Sequence, residues 1–206
     1  KLLPKFTAAD GMKFVAAAQQ VYASNGYATV QEGRADPTTL ALLEGASKAK
    51  QLSLDVIAYP DMVMNKDNPM LHGPLMSRTY ADHFRLGGVK LTFDGSPQGK
   101  TAWFTVPYYV VPEGQKPDYA GYPSFPDPKD AAGLVEKAFR NNWQLLVHTN
   151  GDAAIDALIT DVRAAEKAVP GHDRRTVLVH GQYLRADQIP QLKKLEIFPS
   201  LYPMHT

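Results

Sequence analysis

Three residues of this chain have the type and placement to do chemistry: Lys90, His148 and His180. His148 closes an apolar run, Leu145-Leu146-Val147. Asn150-Gly151-Asp152 and a helically spaced series (Ala154, Ile155, Leu158, Ile159, Val162) follow it. A short apolar strand feeding a helix is the unit of a parallel α/β fold. The carboxyl end of such a strand is where those folds keep their ligands. His180 closes a second run, Thr176-Val177-Leu178-Val179, about one β/α unit later. Neighbouring parallel strands would bring both imidazoles to one mouth, a pairing that suits a divalent cation such as zinc. A lone histidine at a strand end is more often simply hydrogen-bonded, and it is the matched pair that points to a metal. Lys90 lies inside Val89-Lys90-Leu91-Thr92-Phe93, and lysine is rarely buried without a purpose. It fits a Schiff-base lysine, a cation paired with Asp94, or an edge residue reaching water along its stem; the residues alone leave these open. Asp94 and Asp152 adjoin turn glycines, where turn and capping roles are the ordinary use. His72, His83 and His172 fall in loop or helical context and read as structural or exposed.

The elements that must position these residues alternate along the chain. Helical patterns cover residues 6–24, capped by Thr7 with Asp10 three residues on, then 38–51 after Asp36-Pro37, 129–141 after Pro128, the stretch after His148, and 187–194. In the first of these, Phe14, Ala17, Ala18, Val21 and Tyr22 share a face that reads as the buried one. Strand patterns cover 27–33, 54–59, 89–93, 145–148, 176–181 and 197–201. Residues 65–74 read as loop and 75–84 as helix. The segment 103–130 is dense in Tyr, Pro and Gly and has no period. A loop this long in a compact domain is usually functional, and an active-site cover is the expected role. About six strands alternating with helices predict an α/β fold with a parallel sheet.

Composition excludes several classes. The 206 residues are 44% apolar and 21% charged, with a net charge of +1. That balance supplies no field to attract nucleic acid or an acidic membrane. The absence of cysteine rules out disulfides, thiolate metal sites and a cysteine nucleophile. No apolar run is long enough to span a bilayer. No GxGxxG or GxxxxGK[ST] phosphate loop is present. Lys1 does not read as a native start, so the compartment stays open between cytoplasm and periplasm.

Four segments in order, GGVKLTFDGSPQGKTAWF, VHTNGDAAID, VLVHGQYL and PSLYPMHT, resemble the metal-dependent amidohydrolases, and within them amidohydrolase family 3, the YtcJ-like branch. That branch shows a K-x-F-x-D-G-S strand, an H-x-x-G-D-x-A turn, an E-H-x-Q strand and a Q-P-x-H strand end. The resemblance implies a (β/α)₈ TIM barrel holding one or two metal ions, usually zinc. It implies that Lys90 is carboxylated and bridges metals, and that His148 and His180 are the histidine ligands of strands five and six. His205 would lie near substrate or metal. Asp94 and Gly95 would shape the loop after strand four, and Asp152 would hold the loop after His148. The chain departs from the pattern in four ways. It has no H-x-H pair, no later strand ending in the general-base aspartate, Val179 in place of Glu and Tyr202 in place of Gln.

The expectation is therefore one barrel domain over 1–206, incomplete at both ends, with about six β/α units and the 103–130 insertion over its site. The implied reaction is hydrolysis of a C–N bond in a small amide-type substrate, N-acyl or N-formyl, by a metal-activated water. The general base would lie beyond Thr206, so the isolated chain would be a poor catalyst. An open barrel would expose two sheet edges and call for partner strands from another chain, as in a homo-oligomer, or lead to aggregation. Two other readings stand beside this one: a non-catalytic truncated barrel binding a partner through its tyrosine-rich segment, and a Schiff-base lyase built on Lys90.

Overall fold

The structure is a computed structural model and describes residues 7–202. The chain divides into two compact units, Lys1–Val89 and Lys90–Thr206.

The first unit begins with helix α1 (Ala8–Ser24), where Thr7 and Asp10 form a reciprocal capping box that satisfies two otherwise orphaned amides. Strand β1 (Thr29–Ala35), helix α2 (Pro37–Lys48) and strand β2 (Asp55–Pro60) follow. Asp36 caps α2 through the Thr39 amide at 2.7 Å, with proline in the first turn. A 3₁₀ turn (Pro69–His72) leads to β3 (Phe84–Leu86). The strands lie in the order β1-β2-β3, all parallel, with Val30 opposite Val56 and Val56 opposite Phe84. Leu40, Leu43, Val56, Ala58, Phe84 and Leu86 form the buried core beneath α2.

Two expectations fail here. Residues 75–84 are not helical. Asp82 and His83 both have positive φ, a conformation that ends helical propagation, and Ala81 and Phe84 exchange backbone hydrogen bonds across the resulting tight turn. Nor is the apolar face of α1 the buried one: Phe14, Val21 and Tyr22 are exposed. The face that packs carries Met12 and Val15 together with buried Gln19. The Gln19 amide reaches the chain entering β2, donating to Gln51 O and accepting from Ser53 N at 2.6 Å. Satisfying that stretch of backbone outweighs the apolar count on the other side.

The second unit holds β4 (Val89–Thr92), α3 (Pro128–Arg140), β5 (Leu145–Thr149), α4 (Asp152–Ala168), β6 (Val177–His180), α5 (Ile189–Lys194) and β7 (Phe198–Leu201). The strand order is β4-β5-β6-β7, with β5–β6 and β6–β7 parallel. Residues 93–127 form no helix or strand, in keeping with the aperiodic composition of most of that segment. Helix α4 is buried along Ala154, Ile155, Leu158, Ile159 and Val162, the stripe that its sequence spacing predicts. The described strands number seven, the extra one being the short β3. No helix among the described residues is long and apolar enough to cross a membrane.

Candidate functional site

The parallel register pairs His148 with Val179 and Thr149 with His180. Side chains alternate across a sheet, so this register alone would send the two imidazoles to opposite faces. The backbone of His180 breaks the alternation: its φ is +78°, and Gly181 follows at +56°. A non-glycine residue held there costs on the order of 1–2 kcal/mol. The rings then meet edge to face, centroids 4.6 Å apart and planes at 79°. Backbone bonds from Gly181 N to Thr149 O and from Tyr202 N to His180 O hold the strained strand end in place.

His148 is oriented from behind. Its Nε2 lies 3.0 Å from the Gly95 carbonyl oxygen and 3.0 Å from Asn150 Nδ2. A carbonyl only accepts, so the bond to Gly95 places the proton on Nε2 and the lone pair on Nδ1; this tautomer is assigned from the network. Asn150 Nδ2 donates to the same Gly95 oxygen at 2.9 Å. Rotating that amide would set Oδ1 against the carbonyl instead. In the orientation that bonds Gly95, Asn150 Oδ1 is a buried acceptor with no hydrogen-bond partner among the described residues.

Asp94 ties the strand ends together. It is 1% exposed. Its carboxylate accepts the amides of Asn150 (2.9 Å), Gly151 (2.7 Å) and Trp103 (3.0 Å) and lies 3.6 Å from His148 Nε2. Burial pushes its pKa up to about 6, and the three amides pull against that rise. Gly95 and Gly151 allow the close approach. A Cβ at Gly95 would run into the Thr101 side chain, and one at Gly151 into the Trp103 carbonyl.

Asp152, the first residue of α4, holds the long loop. It accepts from Thr105 N (2.9 Å) and Thr105 Oγ1 (2.5 Å) and pairs with Arg185 Nη1 at 2.8 Å. Burial raises its pKa, but the Thr105 and Arg185 bonds outweigh that and leave it lowered. Within the loop, Phe104 packs edge-on against Tyr108 and Tyr183, and Tyr108 stacks on Tyr119.

The predicted residues therefore separate by what the structure does with them. His148 and His180 are brought together. Lys90 is 5% exposed on β4, which removes the reading of a lysine reaching water from an edge. Asp94 and Asp152 anchor the loops around the histidines. His205 lies outside the described residues. His83 bonds Asp55 at 2.8 Å, while His72 and His172 are exposed. Among the described residues no group of three or more His, Cys, Asp or Glu is placed to hold a metal, so the histidine pair would need Lys90 or groups outside that set. Sequence reasoning missed Asn150, Thr105 and Arg185 as site-building residues. Asn150 was visible two residues after His148, but its role depends on a carbonyl 55 residues earlier.

The model of the amidohydrolase family matches residues 1–206, and the chain belongs to that family. It is 28% identical over 120 residues to the Protein LONG AFTER FAR-RED 3 of Arabidopsis thaliana, a match covering 58% of this chain and 20% of that protein. Two crystal structures share its fold: uncharacterized metal-dependent hydrolases from Pyrococcus horikoshii OT3 and Pyrococcus furiosus. Each has a TM-score of 0.75 and 22% identity over 95% of this chain. The chain spans about a fifth of the curated relative and 37% and 38% of the two hydrolases.

Proposed function

We propose that the strand ends of the second unit contribute to the active site of a metal-dependent hydrolase of the YtcJ-like branch, acting on the C–N bond of a small amide-type substrate within a (β/α)₈-type barrel. One observation carries the reading: two imidazoles in edge contact at neighbouring parallel strand ends, one of them oriented by a backbone carbonyl through its second nitrogen. Metal-binding histidines are commonly oriented in this way. The chain's likeness to the two Pyrococcus metal-dependent hydrolases and the family membership support it.

The donor chemistry fits a divalent ion, zinc in this reading, as one or two ions. His148, His180 and a carboxylated Lys90 would hold it, and when bound it would supply Lewis acidity and a water activated near neutral pH. The other steps belong to the chain itself. Gly95 fixes the plane and tautomer of His148, and Asn150 holds the Gly95 carbonyl. Asp94 fastens the turn after β5 to the loop after β4, so the ring and its carbonyl partner move together. Asp152 and Arg185 hold Thr105, and with it the segment 103–130, against α4, where that segment would limit water at a bound amide. His205 would lie near substrate or metal.

The test is zinc titration by calorimetry, followed by metal analysis after gel filtration. Wild type retains metal; His148→Ala and His180→Ala each lose at least tenfold in affinity. Asn150→Ala loses less, because it only positions. Equal metal retention by wild type and both histidine variants would end the proposal. N-acyl and N-formyl amino acids are the first substrate panel.

A further inference from the structure

On the helical side of the second unit lies a cleft of about 480 Å³ that neither histidine lines. Its walls are Phe93, Trp103 and Phe125 from the long loop and its approach, and Ala153, Ala157 and Asp161 from one stripe of α4. Those helical positions recur at intervals of four along one face. The two alanines leave the space that larger side chains would fill. The volume and the apolar, aromatic lining match small-molecule pockets.

Two carboxylates reach this otherwise apolar wall, and they differ. Asp156 is fully engaged, taking Arg185 at 3.0 Å and Gln188 at 2.8 Å. Asp161 has no hydrogen bond or ion pair among the described residues, and burial alone pushes its pKa up to about 6. An unanswered carboxylate facing aromatic rings is complementary to an organic cation, through charge on one side and ring faces on the other.

We propose that this cleft is a binding site for a small primary amine with an aromatic or branched apolar body, the ammonium meeting Asp161 and the body lying between Trp103, Phe125 and the alanines of α4. The site is separate from the histidine pair and does not depend on a hydrolase activity.

The test uses 2-phenylethylamine and its neutral analogue 2-phenylethanol, followed by calorimetry and by the emission of Trp103. The amine binds at least tenfold more tightly than the alcohol. Asp161→Asn removes that difference while leaving alcohol binding intact. Ala157→Leu fills the cleft and weakens both at least tenfold. Asp161→Asn deletes an unpaired charge and does not threaten folding, so the test survives even if Ala157→Leu folds poorly. Equal affinity for amine and alcohol in the wild type, undiminished amine binding by Asp161→Asn, or no binding of either probe at 10 mM would each overturn the proposal.

Discussion

The two units solve the same problem at their strand ends and reach different results. In each, a buried aspartate just after a strand gathers backbone amides, from its own turn in the first unit and from more distant segments in the second. In the first unit it is Asp61, which accepts from Val63 and Met64 and pairs with Arg34 at 2.9 Å. Asn65 completes that turn by bonding Ala35 O and Asp61 O through Nδ2, while its Oδ1 accepts from Asn68. Every polar atom of Asn65 has a partner there. In the second unit Asp94 does the same work for Trp103, Asn150 and Gly151. Beside it, however, stand a histidine held at positive φ, a second histidine in contact with the first, and an Asn150 oxygen with no partner among the described residues. Strain and an orphaned acceptor both cost free energy, and among the described residues the turn at Asp61 carries neither. Under the proposed function, the strand end in the second unit is the one arranged to meet a ligand.

The comparison is tested hardest by removing each aspartate. Asp94→Ala strands three amides, two of which belong to the buried residues Asn150 and Gly151, and is expected to cost about 4 kcal/mol in urea unfolding. Asp61→Ala exposes amides of Val63 and Met64, both more than half exposed, so water replaces the lost acceptor and the cost falls to about 2 kcal/mol. Equal losses would mean that burial of the amides does not set the difference.

A pair of glycines sharpens it next. Gly151 has an ordinary φ of −75°, but a Cβ there would collide with the Trp103 backbone. Gly151→Ala is expected to cost about 2–3 kcal/mol through overpacking and to shift Trp103 emission as the loop moves. Gly26 in the first unit is the converse: φ is +81° and nothing lies within 4 Å. Gly26→Ala should cost about 1 kcal/mol from backbone conformation alone and leave tryptophan emission unchanged.

These cases also show what was legible in the sequence. The α/β alternation, the capping of α1, the buried stripe of α4 and both histidine-terminated strands follow from local periodicity and turn chemistry. The face of α1 did not, because Gln19 acts on a chain segment more than 30 residues away. Residues 75–84 read as helical because their composition permits a helix, whereas two positive-φ residues and the pairing of Met76 with Leu86 fix another path. The histidine pair was expected from matched strand ends. The carbonyl that orients His148 and the arginine that secures Asp152 come from distant loops, where no periodicity marks them.

Arg185 provides a third and smaller test. It spans Asp152, Asp156 and Asp187. Arg185→Ala is expected to cost about 1 kcal/mol at pH 7, because its head is partly exposed and screened. The sign of the pH dependence follows from Asp152. Its folded pKa is lowered from 3.8, so its contribution is present above that value and is lost as pH falls through the folded pKa. The gap between wild type and variant should therefore close below pH 4. A gap that persists at pH 2.5 would assign the loss to packing of the arginine stem.

Asp161, on the same helix, should behave in the opposite sense. Its folded pKa is raised from 3.8 to about 6. As pH rises from 4 to 6 the unfolded chain gives up this proton first, so the folded state loses stability across that window and carries the full penalty at pH 7. A shift of two units on a buried group would be worth about 3 kcal/mol; the partial exposure of Asp161 reduces this to about 1 kcal/mol. Asp161→Asn should accordingly be more stable than wild type by about that amount at pH 7 and indistinguishable at pH 3. At one fixed concentration, 2-phenylethylamine should stabilise the wild type more than the variant at pH 7, because the variant binds the amine only as it binds the alcohol. Superimposable unfolding midpoints of wild type and variant from pH 3 to pH 7 would show that the carboxylate is already satisfied, and α4 would then carry no contrast between its two ends.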